Sequence, residues 1–517
     1  MKRILLSLVL LVVLILWSSC RKDFETIPSN GRLEFSRDTI YLDTVFTNIG
    51  SATYTFKVYN RSDDDIRIPV VSLGQGQNSR YRLNVDGVAG KTFENVEILA
   101  KDSIFVFVET TVAIDELTAS GTEFLYTDAI AFDTGENEQE VALVTLVKDA
   151  VFLFPQRFDD GTEESLLLGI DDLGNEIRIS GFFLEDDELV FTNEKPYVIY
   201  GYAGVGNGKT LTVEAGARVH FHKNSGLLVG NNGTLLVNGS LSTNQELLEN
   251  EVIFEGDRLE PEFSNVPGQW GTVWLTAGST GHEINYLTLR NATVGILMDR
   301  NDGIYPTLQL KNTQIHNTAN VGLWGRTAFI DAENLVIGNA GQASLYCNIG
   351  GRYQFRHITV ANYWRNSFRD FPAVLVDNFV DLGENGIFSR DLIEATFQNS
   401  IIYGNNNLEF FATGVEGVQL NYKLENTLLQ FNDFNQQFIN DPRFDFSNTS
   451  LYTNVILNEN PNFLDTQNSL FTIGEASAAN SLGATATANL VPLDLLGVSR
   501  VADPDSGAYQ SSSFEDN

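Results

Sequence analysis

Two kinds of hydrophobic patterning divide the chain. Residues 32 to 150 hold short runs in which apolar and polar positions alternate, such as Thr53-Tyr54-Thr55-Phe56-Lys57-Val58-Tyr59 and Ser103-Ile104-Phe105-Val106-Phe107-Val108. A later run is Val141-Ala142-Leu143-Val144-Thr145-Leu146, and turn residues such as Asn60-Arg61-Ser62-Asp63 separate the runs. Alternation with a period of two predicts strands with one buried face, and about seven of them in about 120 residues predict an antiparallel β-sandwich. Further along, Thr210-Leu211-Thr212-Val213 recurs 24 residues later as Thr234-Leu235-Leu236-Val237. Self-similarity at that period in a strand-rich chain predicts a solenoid.

The repeat has a marker, an apolar residue and one variable residue followed by a polar one. It reads Leu310-Lys311-Asn312, Ala332-Glu333-Asn334, Phe355-Arg356-His357, Phe397-Gln398-Asn399 and Leu424-Glu425-Asn426, with Asn285 before them. The polar residues are separated by 27, 22, 23, 42 and 27 positions, so the long interval holds an insertion or a second coil. Eleven residues after each polar position stand Ile296, Leu323, Leu345, Phe368 and Phe410, and only Gln437 breaks the series. Asn285, Asn312, Asn334, His357, Asn399 and Asn426 are therefore expected to form a structural ladder of stacked amides, each satisfying its neighbour's donors and acceptors. His357 then stands in for an amide rather than acting as a base. Lys311, Glu333 and Arg356 fall on successive coils and predict a surface charge ladder. The fold class follows: all-β, an N-terminal β-sandwich and then a parallel β-helix. With strands about 4.8 Å apart, on the order of ten coils make a rod roughly 50 Å long.

The first twenty residues obey neither pattern. Lys2 and Arg3 precede an apolar run from Ile4 to Trp17, too short to span a bilayer comfortably, and Ser18-Ser19-Cys20 closes it. Residues 1–19 are expected to be a lipoprotein signal peptide, Cys20 the lipidation site, and 20–31 a lipidated tether. The other boundaries are 32–150 for the sandwich, 151–187 for an acidic transition segment, 188–490 for the β-helix and 491–517 for a closing coil and tail. The only other cysteine is Cys347, so the mature chain has no intramolecular disulfide.

The charge of −34 becomes −36 once Lys2 and Arg3 leave with the signal, since residues 1–19 hold no acid (−34 − 2). Such a field repels phosphates, so nucleic acid is not expected as a partner. Asp63-Asp64-Asp65 offers oxygens for calcium, but a solvated turn is the simpler account, and no cofactor or metal site is expected. One basic and aromatic stretch departs from the acidic background: Arg352, Tyr353, Arg356, His357, Trp364, Arg365 and Arg369, with Trp324 and Arg326 one coil earlier. Rings and guanidinium groups together suit a sugar groove. Trp324, Arg326, Arg352, Trp364, Arg365 and Arg369 are the candidate glycan-binding residues, with the insertion between His357 and Asn399 expected to loop over that face through Asp377-Asn378 and Glu384-Asn385-Gly386.

Several of these segments resemble known families. Cys20 and its approach resemble a bacterial lipobox, and Lys22-Asp23-Phe24-Glu25 resembles the charged tag of Bacteroidetes surface lipoproteins. Leu33-Glu34-Phe35-Ser36 to Phe56-Lys57-Val58-Tyr59-Asn60 resembles bacterial immunoglobulin-like modules. Residues 190 to 510 resemble bacterial right-handed β-helix proteins of the pectate-lyase-like superfamily, through Gly268-Gln269-Trp270-Gly271-Thr272-Val273-Trp274-Leu275 and the elements Asp441-Pro442-Arg443-Phe444 and Asn460-Pro461-Asn462-Phe463. Asp494, Gly497, Arg500 and Asp505-Ser506-Gly507-Ala508-Tyr509-Gln510 are similar to the closing coil of such lipoproteins, departing at Ser506 and Gln510. The resemblance implies a right-handed helix anchored at the outer membrane or cell surface, the periplasmic face being the other orientation. None of the superfamily's hydrolase signatures is present, and Asp299-Arg300-Asn301-Asp302, before Gly303, suits a loop. The expected function is non-catalytic binding of a polysaccharide or an envelope protein, the membrane being engaged through the lipid. The alternative is a polysaccharide lyase or glycoside hydrolase with a diverged site.

Overall fold

The computed structural model describes residues 26–113, 123–171, 173–301 and 305–514. Cys20, the signal segment and the charged tag lie outside the described residues. The chain divides at Asp149 into two units, and among the described residues no helix is long and apolar enough to cross a membrane.

The first unit is a β-sandwich. One sheet runs Ile27–Pro28, Ile66–Leu73, Glu123–Phe132, Gln139–Lys148, Thr39–Phe46, with Thr92–Ile98 also on Ile66–Leu73. The other runs Glu34–Phe35, Tyr54–Tyr59, Ser103–Thr110, Tyr81–Val85, Val88–Gly90. Alternation explains the layering: Ile104, Val106 and Val108 enter the shared core with Ile68, Ile130 and Leu143 from the facing sheet, while Phe105 and Phe107 point outward. The sheets are mixed rather than wholly antiparallel, because Thr39–Phe46 lies parallel to Gln139–Lys148 and Ile27–Pro28 parallel to Ile66–Leu73. Asp63 pairs with Lys101 at 3.1 Å and Asp65 accepts the Ala100 N–H at 2.8 Å, so two of the three acids have protein partners.

The second unit is a parallel β-solenoid of serially bonded strands. It begins earlier than the repeat suggests. Val151–Leu153 pairs in parallel with Tyr197–Ile199, and Phe182 at the end of Glu176–Phe183 pairs with Ala203, so the 151–187 segment supplies the first coil and carries a hairpin, Ser165–Ile170 with Glu176–Phe183. One apolar column threads the core through Leu227, Val273, Ile296, Leu323, Leu345, Val374 and Phe410, all fully buried. The fixed offset of eleven thus fails at a second coil besides that of Gln437: Phe368 is 87 % exposed and Val374 takes its place. A loop of about ten residues lengthens the turn before that strand, moving the core position six residues along.

The amide ladder occupies left-handed backbone, which asparagine tolerates better than other non-glycine residues. Asn312, Asn334, His357, Asn399 and Asn426 have φ of 48°, 50°, 51°, 50° and 50°. Asn454, with φ 52°, continues the series one coil beyond the reading from sequence, since Thr453 pairs with Glu425. Asn285 is off by one: it pairs with Lys311, and Tyr286 holds the left-handed position. Its side chain still joins the ladder, for Asn312 donates to Asn285 at 3.0 Å and Asn334 to Asn312 at 2.9 Å. Lys311 and Glu333 pair at 3.0 Å, but Arg356 turns instead to Asp331.

The C-terminal segment departs most from expectation. It does not close the last coil; it runs back along the side of the stack over the ladder. Asn426 donates to the Leu482 carbonyl at 2.9 Å, Asn399 to Ala484 at 3.1 Å and Asn334 to Leu493 at 2.9 Å. Arg500, fully buried, donates to Asn334 at 3.0 Å and to the carbonyls of Gly507 and Ala508 at 3.2 Å each. Asp494 accepts the N–H groups of Leu496, Val498 and Gln510. The departing residues of the ending are absorbed too: Ser506 donates to the Asn426 carbonyl at 2.6 Å, and the Gln510 side chain bridges Asp505 and Asp503.

Candidate functional site

The strand that follows each ladder residue determines what the returning segment covers. Its outward positions form two columns. One reads Arg218, Ile253, Thr288, Gln314, Val336, Thr359, Ile401, Leu428, and the other Glu255, Arg290, His316, Gly338, Ala361, Tyr403. Both change from polar to apolar along the stack. Val336, Ala361, Ile401 and Leu428 are buried beneath Phe471, Ile473, Leu482, Leu495 and Ala508 of the C-terminal segment. Where the columns become polar the covering segment stands off, and a cleft opens.

This amide cleft has two connected parts that share Asn265 and Asn317. One, about 310 Å³, lies between Thr288, Arg290, Gln314 and His316 on the coils and the hairpin Phe463–Asp465 with Leu470–Ile473, with Gln245, Asn468 and Tyr509 at its walls. The other, about 250 Å³, is lined by Asn339, Tyr363, Trp364, Arg365, Asn366 and Gln467. Asn317 donates to Asn265 at 3.1 Å at the junction. Asn317 and Asn339 have φ of 54° and 57°, left-handed corners five residues after the ladder positions. Among the described residues lining either part there is no carboxylate. Arg290 is answered from the neighbouring coil by Glu255 at 2.6 Å. Burial, reinforced by the Arg290 charge, pushes the His316 imidazole down to about 4, so the ring is neutral near pH 7.

A second depression, the hairpin pocket of about 390 Å³, lies on the strand that precedes the next corner. Trp324 stacks on Tyr346 of the following coil, with centroids 5.7 Å apart and planes 11° apart. Arg326 lies 5.4 Å from the Trp324 ring and pairs with Asp299 at 2.7 Å. Val380, Leu382 and Phe388 form the far wall, from a hairpin of Phe379–Asp381 and Ile387–Ser389. The insertion thus does loop over the face that holds Trp324 and Arg326. Asp377, at its base, is buried and accepts from Tyr346 at 2.7 Å, Asn348 at 2.9 Å and the Ile349 N–H at 2.8 Å. Burial raises its carboxyl above the usual range, against those hydrogen bonds.

The six residues read from sequence as one group do not converge. Trp324 and Arg326 line the hairpin pocket; Trp364 and Arg365 line the amide cleft; the two linings have no residue in common. Arg352 sits with its guanidinium 5.0 Å from the Phe329 ring. Arg369 is not available to a ligand: it is 5 % exposed and pairs with buried Glu409 at 2.6 Å, with further bonds to Asn362, Asn405 and the Phe371 carbonyl. It anchors the loop that carries Trp364 and Arg365. Trp364 is itself nearly buried, its indole N–H donating to Ser367 at 2.9 Å. His357 is fully buried and 3.0 Å from the Asn399 amide; burial, with Arg500 nearby, pushes it down to about 2, so it stays neutral. Among the described residues no group of three or more His, Cys, Asp or Glu is placed to hold a metal ion.

The reading from sequence missed Gln314, His316, Asn317, Asn339 and Asn265. The recurrence of asparagine five residues after Asn312 and Asn334 was the available signal; the opposing wall comes from residues about 150 positions away and leaves no local trace.

No family model matches the chain, and no curated protein does. Several solved structures overlap parts of it, two of them as follows. A family 123 glycoside hydrolase from Clostridium perfringens shares 8 % identity over 23 % of this chain and 29 % of its own, with a TM-score of 0.17. The E. coli chaperone DraB shares 12 % over 24 % of this chain and 58 % of its own, with a TM-score of 0.16. The chain therefore spans less than two thirds of either, and likenesses this slight leave the all-β solenoid as what is established.

Proposed function

We propose that the protein is a cell-envelope lipoprotein, anchored through Cys20, whose β-helix binds a glycan or another envelope component in the amide cleft without turning it over. In this reading the chain is a divergent right-handed β-helix of the pectate-lyase-like kind, carried at the outer membrane or cell surface by an immunoglobulin-like module. The observation that carries the proposal is the lining of the amide cleft: side-chain amides, an imidazole, ring faces and the guanidinium groups of Arg290 and Arg365, with no carboxylate among the described residues. Amides present donors and acceptors together, which suits hydroxyl-rich ligands. Glycoside hydrolysis needs two carboxylates flanking the scissile bond, and proton abstraction from a uronate needs a base beside uncommitted cations. Among the described residues the hairpin pocket offers one lining carboxylate, Asp299, already committed to Arg326.

A soluble Cys20→Ser form should be retained on a glycan array and release no product from a broad polysaccharide panel. On intact cells, the wild-type chain should be reached by added protease if it faces outward. Absence of retention on every glycan together with no exposure on intact cells, or turnover of any glycan, would reject the proposal.

A further inference from the structure

The amide cleft is electrically unlike the molecule around it. The chain carries a net charge of −34, yet the cleft's lining holds no acid among the described residues. It also holds no uncommitted cation at its centre, because Arg290 is paired with Glu255 at 2.6 Å. His316 adds no charge near neutral pH. At the open end, Arg365 is close enough to Asp465 that, after the hydrogen bonds from Asn468 and Gln467, its charge helps hold that carboxyl low. What remains is a row of amides and hydroxyls crossing the strands. Arg290, Asn317, Asn339 and Tyr363 line it from four successive coils, so the lining spans three strand spacings, about 14 Å.

We infer that the ligand of this cleft is a short neutral oligosaccharide lying along the stack, and not an acidic one. The inference rests on the glycan-binding reading above and deepens it. A uronate would bring charge into a site whose central arginine, Arg290, is already answered and whose surroundings are strongly negative, so a carboxylate away from Arg365 at the open end would be desolvated without a partner. A neutral sugar exchanges water for amide hydrogen bonds at no such cost.

Titration calorimetry on the Cys20→Ser chain separates the possibilities. The probes are neutral gluco-, manno- and xylo-oligosaccharides and, beside them, oligogalacturonates and oligomannuronates, each at about 50 and about 300 mM salt. A neutral oligomer should bind with affinity changing less than about twofold between the two salts. Gln314→Ala and Asn317→Gly, the latter keeping the left-handed corner, should each weaken it roughly tenfold, while Trp324→Ala in the hairpin pocket should leave it unchanged. A uronate that binds tighter than its neutral counterpart and loosens with salt overturns the inference and keeps the glycan reading. Binding lost in Trp324→Ala but kept in Gln314→Ala moves the ligand to the hairpin pocket and overturns the placement. No saccharide bound at all rejects both.

Discussion

The two depressions of the solenoid are built by opposite means. The hairpin pocket is local: its floor is Trp324, Arg326 and Asn348 on successive coils, and its wall is a hairpin inserted in the coil that follows them, so fewer than a hundred residues supply all of it. The amide cleft is assembled from both ends of the unit, with Gln245 and Thr288 on early coils and Leu464 to Thr472 and Tyr509 from the returning segment. Side-chain commitment differs as well. In the hairpin pocket the central guanidinium and carboxylate satisfy each other, and ring faces remain; in the cleft Arg290 is satisfied from outside, and amides remain with Arg365 at the open end. A stacked sheet offers the same outward columns everywhere, and what covers them decides which chemistry is left open.

That contrast can be broken at the loop that carries Trp364 and Arg365. Arg369→Met leaves Glu409 buried without its counter-ion and should cost about 3–5 kcal/mol, read by chemical denaturation, with the cleft's open end disordered and the hairpin pocket intact. Arg369→Met with Glu409→Leu should recover most of that loss; no recovery would show that the loop is held by something other than the ion pair.

The covered side should also respond to acid. His357 is held neutral by burial, with its folded value near 2 against about 6.5 unfolded. The unfolded chain therefore takes up a proton that the folded chain refuses. Stability from this residue is fully present above about pH 6.5 and falls as the pH drops toward 2, by up to ~1.4 kcal/mol per pH unit. His357→Asn, which keeps an amide in the ladder and a left-handed corner, should make the pH dependence shallower below pH 6; an unchanged slope would mean that His282, held near 4 by burial, or other groups dominate.

Smaller effects should separate the two clefts. Arg326→Ala removes the partner of buried Asp299 and should cost about 1–3 kcal/mol while leaving hydrogen-exchange protection of residues 463–473 unchanged. Lys311→Ala breaks a surface pair with Glu333 and should cost no more than about 1 kcal/mol, vanishing at high salt. Coupling of either substitution to the amide cleft would show that the faces are not independent.

Short-range pattern made much of this fold legible. Asn312, Asn334, Asn399 and Asn426 announce left-handed corners because so few side chains accept that backbone, and Leu323 and Leu345 announce the core because a fixed spacing separates corner from strand. The same spacing misled at Phe368, where a lengthened turn resets the count, and at Asn285, where Tyr286 takes the corner. The pairing of Arg369 with Glu409 bridges 40 positions, and the approach of Arg500 to Asn334 bridges 166; nothing in residue type marks such partners in advance. The basic and aromatic stretch looked like one site because its members are close in sequence. A coil of some two dozen residues turns through every face of the rod, so such neighbours are distributed around it.

The returning C-terminal segment has a consequence for how the molecule comes apart. A bare solenoid is nearly one-dimensional: each coil touches only its neighbours, ends fray, and coils can open one at a time. Here a single strap touches the coils of Gln314, Asn334, Thr359, Asn399 and Asn426, through Tyr509, Arg500, Ala508, Gly507 and Ser506. It follows in the chain the coils it covers, and it can dock only on coils already stacked. Once seated it ties distant coils into one unit, so opening any of the five must wait until the strap lifts from all of them.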